Sequence, residues 1–185
     1  MTDDELYRQY LAGDQASGDA LMLRCADILT AYLNAFLHNE QDAEDLMLDC
    51  FTVILIDRPK IGEGNFRAYL YKMARYKANR RWRQRFRRQE FSLDEQEAET
   101  ILSPAPDPED AVLKTERSAV LQRCLNRIAP QYREALFLVY AAGLSYAQAA
   151  EIRGMSTGQI HSLLDEGKKR MRRELEKEGI THADI

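Results

Sequence analysis

Leu144-Ser-Tyr-Ala-Gln-Ala-Ala-Glu-Ile-Arg-Gly-Met-Ser-Thr-Gly-Gln-Ile160 carries two helix-start signals eleven residues apart. In Ser145-Tyr-Ala-Gln148, and again in Ser156-Thr-Gly-Gln159, a serine hydroxyl can accept from the N–H three residues on. The glutamine can reach back to the serine N–H, which makes a reciprocal capping box. Between the two starts there is room for one short helix and a turn at Gly154. Ala150, Gly154 and Ile160 stand at the offsets of a helix-turn-helix: small where helices cross, glycine where the chain reverses, aliphatic where the second helix returns to the core. That second helix would offer its N-terminal turns to a DNA major groove. An ordinary helical hairpin in an all-α core has the same spacing.

Working outward, the apolar spacing predicts helices over Asp4–Ala12, Ala16–His38, Asp42–Ile56 and Phe66–Arg88. Asp107-Pro108 supplies an N-cap followed by proline at the first helical position, opening a helix to about Ile128. Helices over Gln131–Ala142, Tyr146–Arg153 and Thr157–Glu178 complete the chain, with Gly143, Gly154 and Gly179 as left-handed stops. Period-2 alternation bounded by turn pairs is absent, so the fold class is all-α.

The 185 residues carry 26 Lys+Arg and 30 Asp+Glu, for a net charge of -4. That mean conceals a polarised chain. Phe66–Arg88 holds ten basic residues and no acidic one, which leaves -14 on the remaining 162 residues. Gln89–Asp110 follows with eight acidic residues, no basic one, and Pro104, Pro106 and Pro108, the composition of a solvated linker. Residues 1–88 and 111–178 therefore read as two small helical domains joined by an acidic linker at 89–110, with a tail at 179–185.

Along Phe66–Arg88, the residues Phe66, Leu70, Met73 and Ala74 form a core-facing stripe, and Trp82 and Phe86 continue an i+4 row amid arginine. Tyr69, Tyr71 and Tyr76 interleave with Arg67, Lys72, Arg75 and Lys77. Cations that neutralise phosphates, beside rings on which unpaired bases stack, are what a single-stranded nucleic-acid surface requires. A solvated basic face and a membrane-surface helix are the competing readings. The helix Asp42–Ile56 has two apolar stripes, Ala43, Leu46, Cys50, Val53 and Leu48, Phe51, Leu55, with Asp45 and Asp49 on the seam. One stripe can face the core. The other is either buried in the bundle or a docking site edged by carboxylates.

Taken in order, Asp42-Ala-Glu-Asp-Leu-Met-Leu-Asp-Cys-Phe51, Phe66-Arg-Ala-Tyr-Leu-Tyr-Lys-Met-Ala-Arg75, the acidic linker, Leu125-Asn-Arg-Ile-Ala-Pro130, Gly143-Leu-Ser-Tyr-Ala-Gln-Ala-Ala-Glu-Ile152 and Gly154-Met-Ser156 resemble the bacterial RNA polymerase sigma factors of the extracytoplasmic-function group. The resemblance covers nearly the whole chain. It implies a promoter-specificity subunit rather than an enzyme. The first domain, region two, would dock on the beta-prime clamp and open the minus-ten element. The second, region four, would read the minus-thirty-five element and sit on the beta flap. It also implies that Asp45, Leu48, Asp49, Phe51 and Leu55 form the clamp-binding surface, and that the loop Lys60–Asn65 captures a flipped-out base. The non-template strand would lie along Asn65, Phe66, Arg67, Tyr69, Lys72, Arg75, Tyr76, Arg80 and Arg81.

In the recognition helix, Ser156, Thr157, Gln159, His161, Ser162, Asp165, Lys168 and Lys169 are the expected minus-thirty-five contacts. Gln159 carries a fork suited to adenine, and Asp165 could accept from a cytosine amino group. The family usually has asparagine at the place of Tyr76, an acidic residue at that of Arg80, tryptophan at that of Tyr69, and basic residues at those of Leu163 and Glu166. An anti-sigma factor is a usual partner in the family.

Other function classes find little purchase. The start MTDDEL has no secretory signal, and the longest apolar or glycine run, Ala135–Leu144, spans ten residues, about half a membrane crossing. Cys25, Cys50 and Cys124 are odd in number and widely spaced, which fits a reducing cytoplasm. His38, His161 and His182 are isolated, no catalytic motif occurs, and Asp42, Glu44, Asp45 and Asp49 lack histidine partners, so neither a cofactor nor a metal is expected. The alternative within DNA binding is a stand-alone helix-turn-helix regulator with an N-terminal sensor or dimerisation domain.

Overall fold

The computed structural model describes residues 1–89 and 116–180, and the chain divides into two compact units, Met1–Ile101 and Leu102–Ile185. The acidic linker beyond Gln89 and the Asp107-Pro108 helix start lie outside the described residues. Every described element is helical.

The first unit contains α1 (Asp3–Leu11), α2 (Gln15–Leu37), α3 (Glu40–Thr52) and α4 (Phe66–Gln89). Each start has its local cause. Thr2 and Glu5 form a capping box on α1, Asp14 caps α2, and Asn39 Oδ1 accepts from Asp42 N at 2.8 Å to start α3. His38 closes α2 in the left-handed region, so the predicted helix end falls one residue earlier, at Leu37. Leu21, Leu29, Tyr32, Leu33 and Phe36 of α2 form the centre, against which α1, α3 and α4 pack. By length and composition α2 could cross a membrane, but that apolar face is buried in this bundle.

α3 does not stop cleanly. It widens into a turn of π-helix over Val53–Asp57 and ends at Arg58, whose φ is 48°. Two buried tyrosines of α1 hold this end of the helix: Tyr10 Oη donates to the Leu55 carbonyl within the widened turn at 2.5 Å, and Tyr7 Oη to that of Pro59, just beyond it, at 2.7 Å.

The second unit contains α5 (Glu116–Arg127), α6 (Pro130–Leu136), α7 (Tyr146–Arg153) and α8 (Thr157–Lys177), with another π-helical turn at Phe137–Ala141 after α6. Both capping boxes are present, on Ser145 and Ser156. Gly143, Gly154 and Gly179 all take positive φ, the conformation their positions as helix stops require. Cys124, Ala135, Leu138, Ala149, Ile160 and Leu164 make the core. Within it lies an ion pair between Glu134 and Arg153, both almost wholly buried. Arg133, also buried, donates Nη2 to the carbonyls of Asn126 and Ile128 at 3.1 and 3.2 Å and so caps the end of α5. Burial lowers its pKa.

Candidate nucleic-acid interface

The basic helix α4 separates its cations by face. Phe66, Leu70, Tyr71, Ala74 and Ala78 are buried, whereas Met73 is only half-buried. Phe66 is 0% exposed and its ring lies 5.2 Å from that of Tyr7. It belongs to the core, which corrects its assignment as a DNA contact.

Arg67 and Arg81 are corrected in a different way. Arg67 Nε donates to the buried carboxylate of Asp3, which also accepts from Arg24 Nη1 at 3.1 Å. Arg81 Nη2 lies 2.7 Å from Asp42 Oδ1, and Arg85 Nη1 lies 3.2 Å from Asp42 Oδ2. These arginines are therefore engaged with the N-terminal turns of α1 and α3. Asp4 completes the junction by accepting from Phe66 N at 3.2 Å.

The opposite side of α4 carries Tyr69, Lys72, Tyr76, Arg80 and Arg83, spaced three or four residues apart and so aligned on one face. Tyr76 is 68% exposed. Arg75, half-buried, sits on the flank. Arg83 was within the basic run but not among the expected contacts; its spacing of seven from Tyr76 is the signal that places it. Asn65, before the helix, is exposed in a tight turn in which its N–H donates to the Gly62 carbonyl at 3.1 Å.

α3 shows a related division. Ala43, Leu46, Met47, Cys50, Phe51 and Ile54 face the core. Phe51 is 1% exposed and leaves the expected docking stripe. Val53, assigned to the core stripe, is half-buried. What remains outward is Asp45, Leu48 (47% exposed) and Asp49, with Leu55 half-buried and Ile56 fully presented beside them.

On α8, Ile160, Leu164, Gly167 and Met171 are buried, and Gly167 seats the helix on α6: a Cβ there would lie 3.3 Å from Leu136 and Tyr132. The far side presents Gly158, Ser162, Asp165, Lys169 and Arg172, all exposed. Asp165 is flanked by His161 Nδ1 and Lys168 Nζ, each at 4.0 Å. His161 meets the Tyr146 ring edge-on at 4.9 Å, and Lys168 lies 5.6 Å from the centre of the Tyr140 ring. A hydrogen bond to the Tyr140 hydroxyl is the first cause raising the pKa of Lys168, and a bond with the same hydroxyl raises that of Tyr146.

Gln159 Oε1 accepts from Ser156 N at 2.8 Å, so half of its fork is committed to the cap. Glu166 bonds Arg170 at 2.8 Å on the flank, where Arg170 stacks 4.6 Å over the Tyr132 ring. The acid next to Asp165 in sequence thus points away from the outward face. Among the described residues no group of histidine, cysteine and carboxylate side chains could hold a metal.

Comparison with known proteins settles the family. Residues 21–88 match Sigma-70 region 2, and residues 118–171 match Sigma-70, region 4. The chain is 27% identical over 163 residues to the ECF RNA polymerase sigma factor SigE of Mycolicibacterium smegmatis, spanning 86% of this chain and 63% of that protein. With SigW of Bacillus subtilis it shares 25% identity over 178 residues, covering 91% of this chain and 94% of the relative. The chain belongs to the extracytoplasmic-function sigma factors. A solved relative, the sigma factor RpoE of Bartonella quintana in complex with the anti-sigma factor NepR, superimposes with a TM-score of 0.65 at 26% identity, covering 85% of this chain and 96% of that one. As a sigma factor the chain is an RNA polymerase subunit for transcription initiation, and a stand-alone regulator would have no use for region 2.

Proposed function

We propose that this sigma factor directs core polymerase to its promoters through three separate surfaces. α4 holds the non-template strand of the minus-ten element on Tyr69, Lys72, Tyr76 and Arg80, with Arg83 extending the face and Asn65 and Arg75 at its margins. α8 reads the minus-thirty-five element through Ser162, Asp165 and Lys169, with Ser156 and Gln159 shaping its start and Thr157, His161 and Lys168 at its edges. Asp45, Leu48, Asp49 and Leu55, joined by Ile56, dock on the beta-prime clamp, and region four takes up the beta flap. The chain is a specificity subunit working in the cytoplasm, not a catalyst. An anti-sigma factor, as in the RpoE complex, is the expected inhibitor.

The observation that carries this reading is the sorting of cations on α4. Three arginines are tied to Asp3 and Asp42, while the opposite face alternates tyrosines with cations. A merely solvated basic helix has no reason to align its rings with its outward-facing cations. Phosphates neutralised beside stacked bases do require that alignment.

Run-off transcription with core polymerase and fragments of the host genome tests the proposal and yields the promoter sequence. Start sites that share upstream elements only when the chain is added would support it. Transcription that is equal without the chain would reject it.

A further inference from the structure

Gly158 is a glycine the fold does not use. Gly13, Gly64, Gly143, Gly154 and Gly179 have positive φ, Gly18 would drive a Cβ to 2.6 Å from the Tyr10 ring, and Gly167 is pressed against α6. Gly158 is helical and exposed, and a Cβ there would meet only Ser156 Oγ at 3.9 Å. Among the described residues nothing excludes a side chain there, and in a helix glycine is poorer than alanine.

Its surroundings supply a reason. Gly158 lies one turn before Ser162 and two before Asp165, on the midline of the outward face of α8. Ser162 Oγ donates to the Gly158 carbonyl at 3.1 Å, so that hydroxyl folds back along the helix instead of standing out from it. The first two turns therefore present nearly bare backbone on their midline, while Thr157, Gln159 and His161 stand to either side. A helix with its side chains is about 10–12 Å wide, and the major groove is about 12 Å wide. A bare midline lets the helix backbone sit closer to the base edges than an ordinary side chain would allow.

We propose that Gly158 is a close-approach residue for promoter recognition, at which the α8 backbone lies against the bases of the minus-thirty-five element. The inference rests on the reading of α8 as the DNA-facing helix. Clearance at Gly158 sets how deeply Asp165 and Lys169 reach, so bulk there disables both together.

The test uses full-length chain with core polymerase and compares Gly158→Ala, Gly158→Leu and Lys169→Ala. Readouts are thermal melting, co-purification with core polymerase, and transcription from a cognate promoter and from a library randomised in its minus-thirty-five element. Melting temperature and core binding should hold or rise for both glycine variants. Cognate transcription should fall in order of bulk, with Gly158→Leu losing roughly tenfold or more, the size of a mismatched base pair. Wild-type output and promoter profile from Gly158→Leu, with Lys169→Ala still weakened, would overturn the close approach alone. No effect from any of the three would reject the DNA-facing helix itself. Loss of core binding by Gly158→Leu would reject the proposal in favour of a contact with polymerase.

Discussion

Asp42 binds Arg81 and Arg85 through its two oxygens, which withdraws both arginines from the charge that α4 can offer a strand. Arg80, one residue away, is exposed and has no ion-pair partner among the described residues. Adjacent arginines in one basic run should therefore behave differently. Arg80→Ala should lower the salt slope of binding to single-stranded promoter DNA by about 0.7. Arg81→Ala should leave the slope unchanged and reduce stability by no more than about 1 kcal/mol, as expected for a partly exposed pair. Tyr76→Ala should weaken binding by about 1–3 kcal/mol at constant slope, since stacking releases no counterion. Fluorescence anisotropy of the polymerase complex on a forked promoter, repeated across a salt series, separates the three. Phe66→Ala, by contrast, should cost about 3–5 kcal/mol of stability through the cavity it leaves.

For whole helices, the same contrast applies on α3. Leu48→Arg should abolish co-purification with core polymerase while circular dichroism stays unchanged; an unfolded variant would place Leu48 in the core. Phe51→Ala should unfold the first unit more readily, by about 3–5 kcal/mol in a denaturant melt. On α8, Glu166→Arg should leave the minus-thirty-five profile as it is, because the change occurs on the flank beside Arg170. It costs only the i,i+4 pair, about 0.2–0.5 kcal/mol, plus repulsion of similar size. A broadened profile in a randomised library would place Glu166 in the groove instead.

The helices were legible because capping boxes, glycine stops and apolar periodicity are local signals. Phe51 was not, since it lies at the border between two stripes and only the packing of α3 against α2 and α4 decides its side. The partners of Arg67 and Arg81 were not legible either: Asp3 and Asp42 lie 64 and 39 residues away in sequence, and no spacing rule links them. The folding back of Ser162 depends on side-chain orientation, which composition does not carry, whereas the commitment of Gln159 to the cap was legible in its spacing from Ser156.

Across the molecule, the three thiols divide between the units, Cys25 and Cys50 in the first and Cys124 in the second, and all are free and buried. Burial raises the pKa of Cys25 and Cys50 to about 12, and that of Cys124 is also raised. Folded chain should therefore resist a maleimide at neutral pH and gain three adducts on denaturation. The order of labelling in rising denaturant, read by peptide mass, ranks the stability of the two units.

Acid should act on the second unit through Glu178, whose carboxyl is held below its ordinary 4.5 by hydrogen bonds from Arg127 and Arg123. A depressed folded-state pKa stabilises fully above the ordinary value and is lost as pH falls through the lowered one. Glu178→Gln should flatten that acid-side loss in urea melts of the full chain. An unchanged pH dependence would detach Glu178 from the stability of this unit.

The outward side of α8 is a surface on which heredity can experiment. Ser162, Asp165, Lys169 and Arg172 bury nothing, whereas Ile160, Leu164, Gly167 and Met171 carry the packing of the same helix. On the proposed reading of α8, substitutions on the outward side would change which promoter is read and leave the fold's free energy nearly untouched. Duplicated copies of such a gene could therefore diverge in their target promoters, one residue at a time, without passing through an unfolded ancestor.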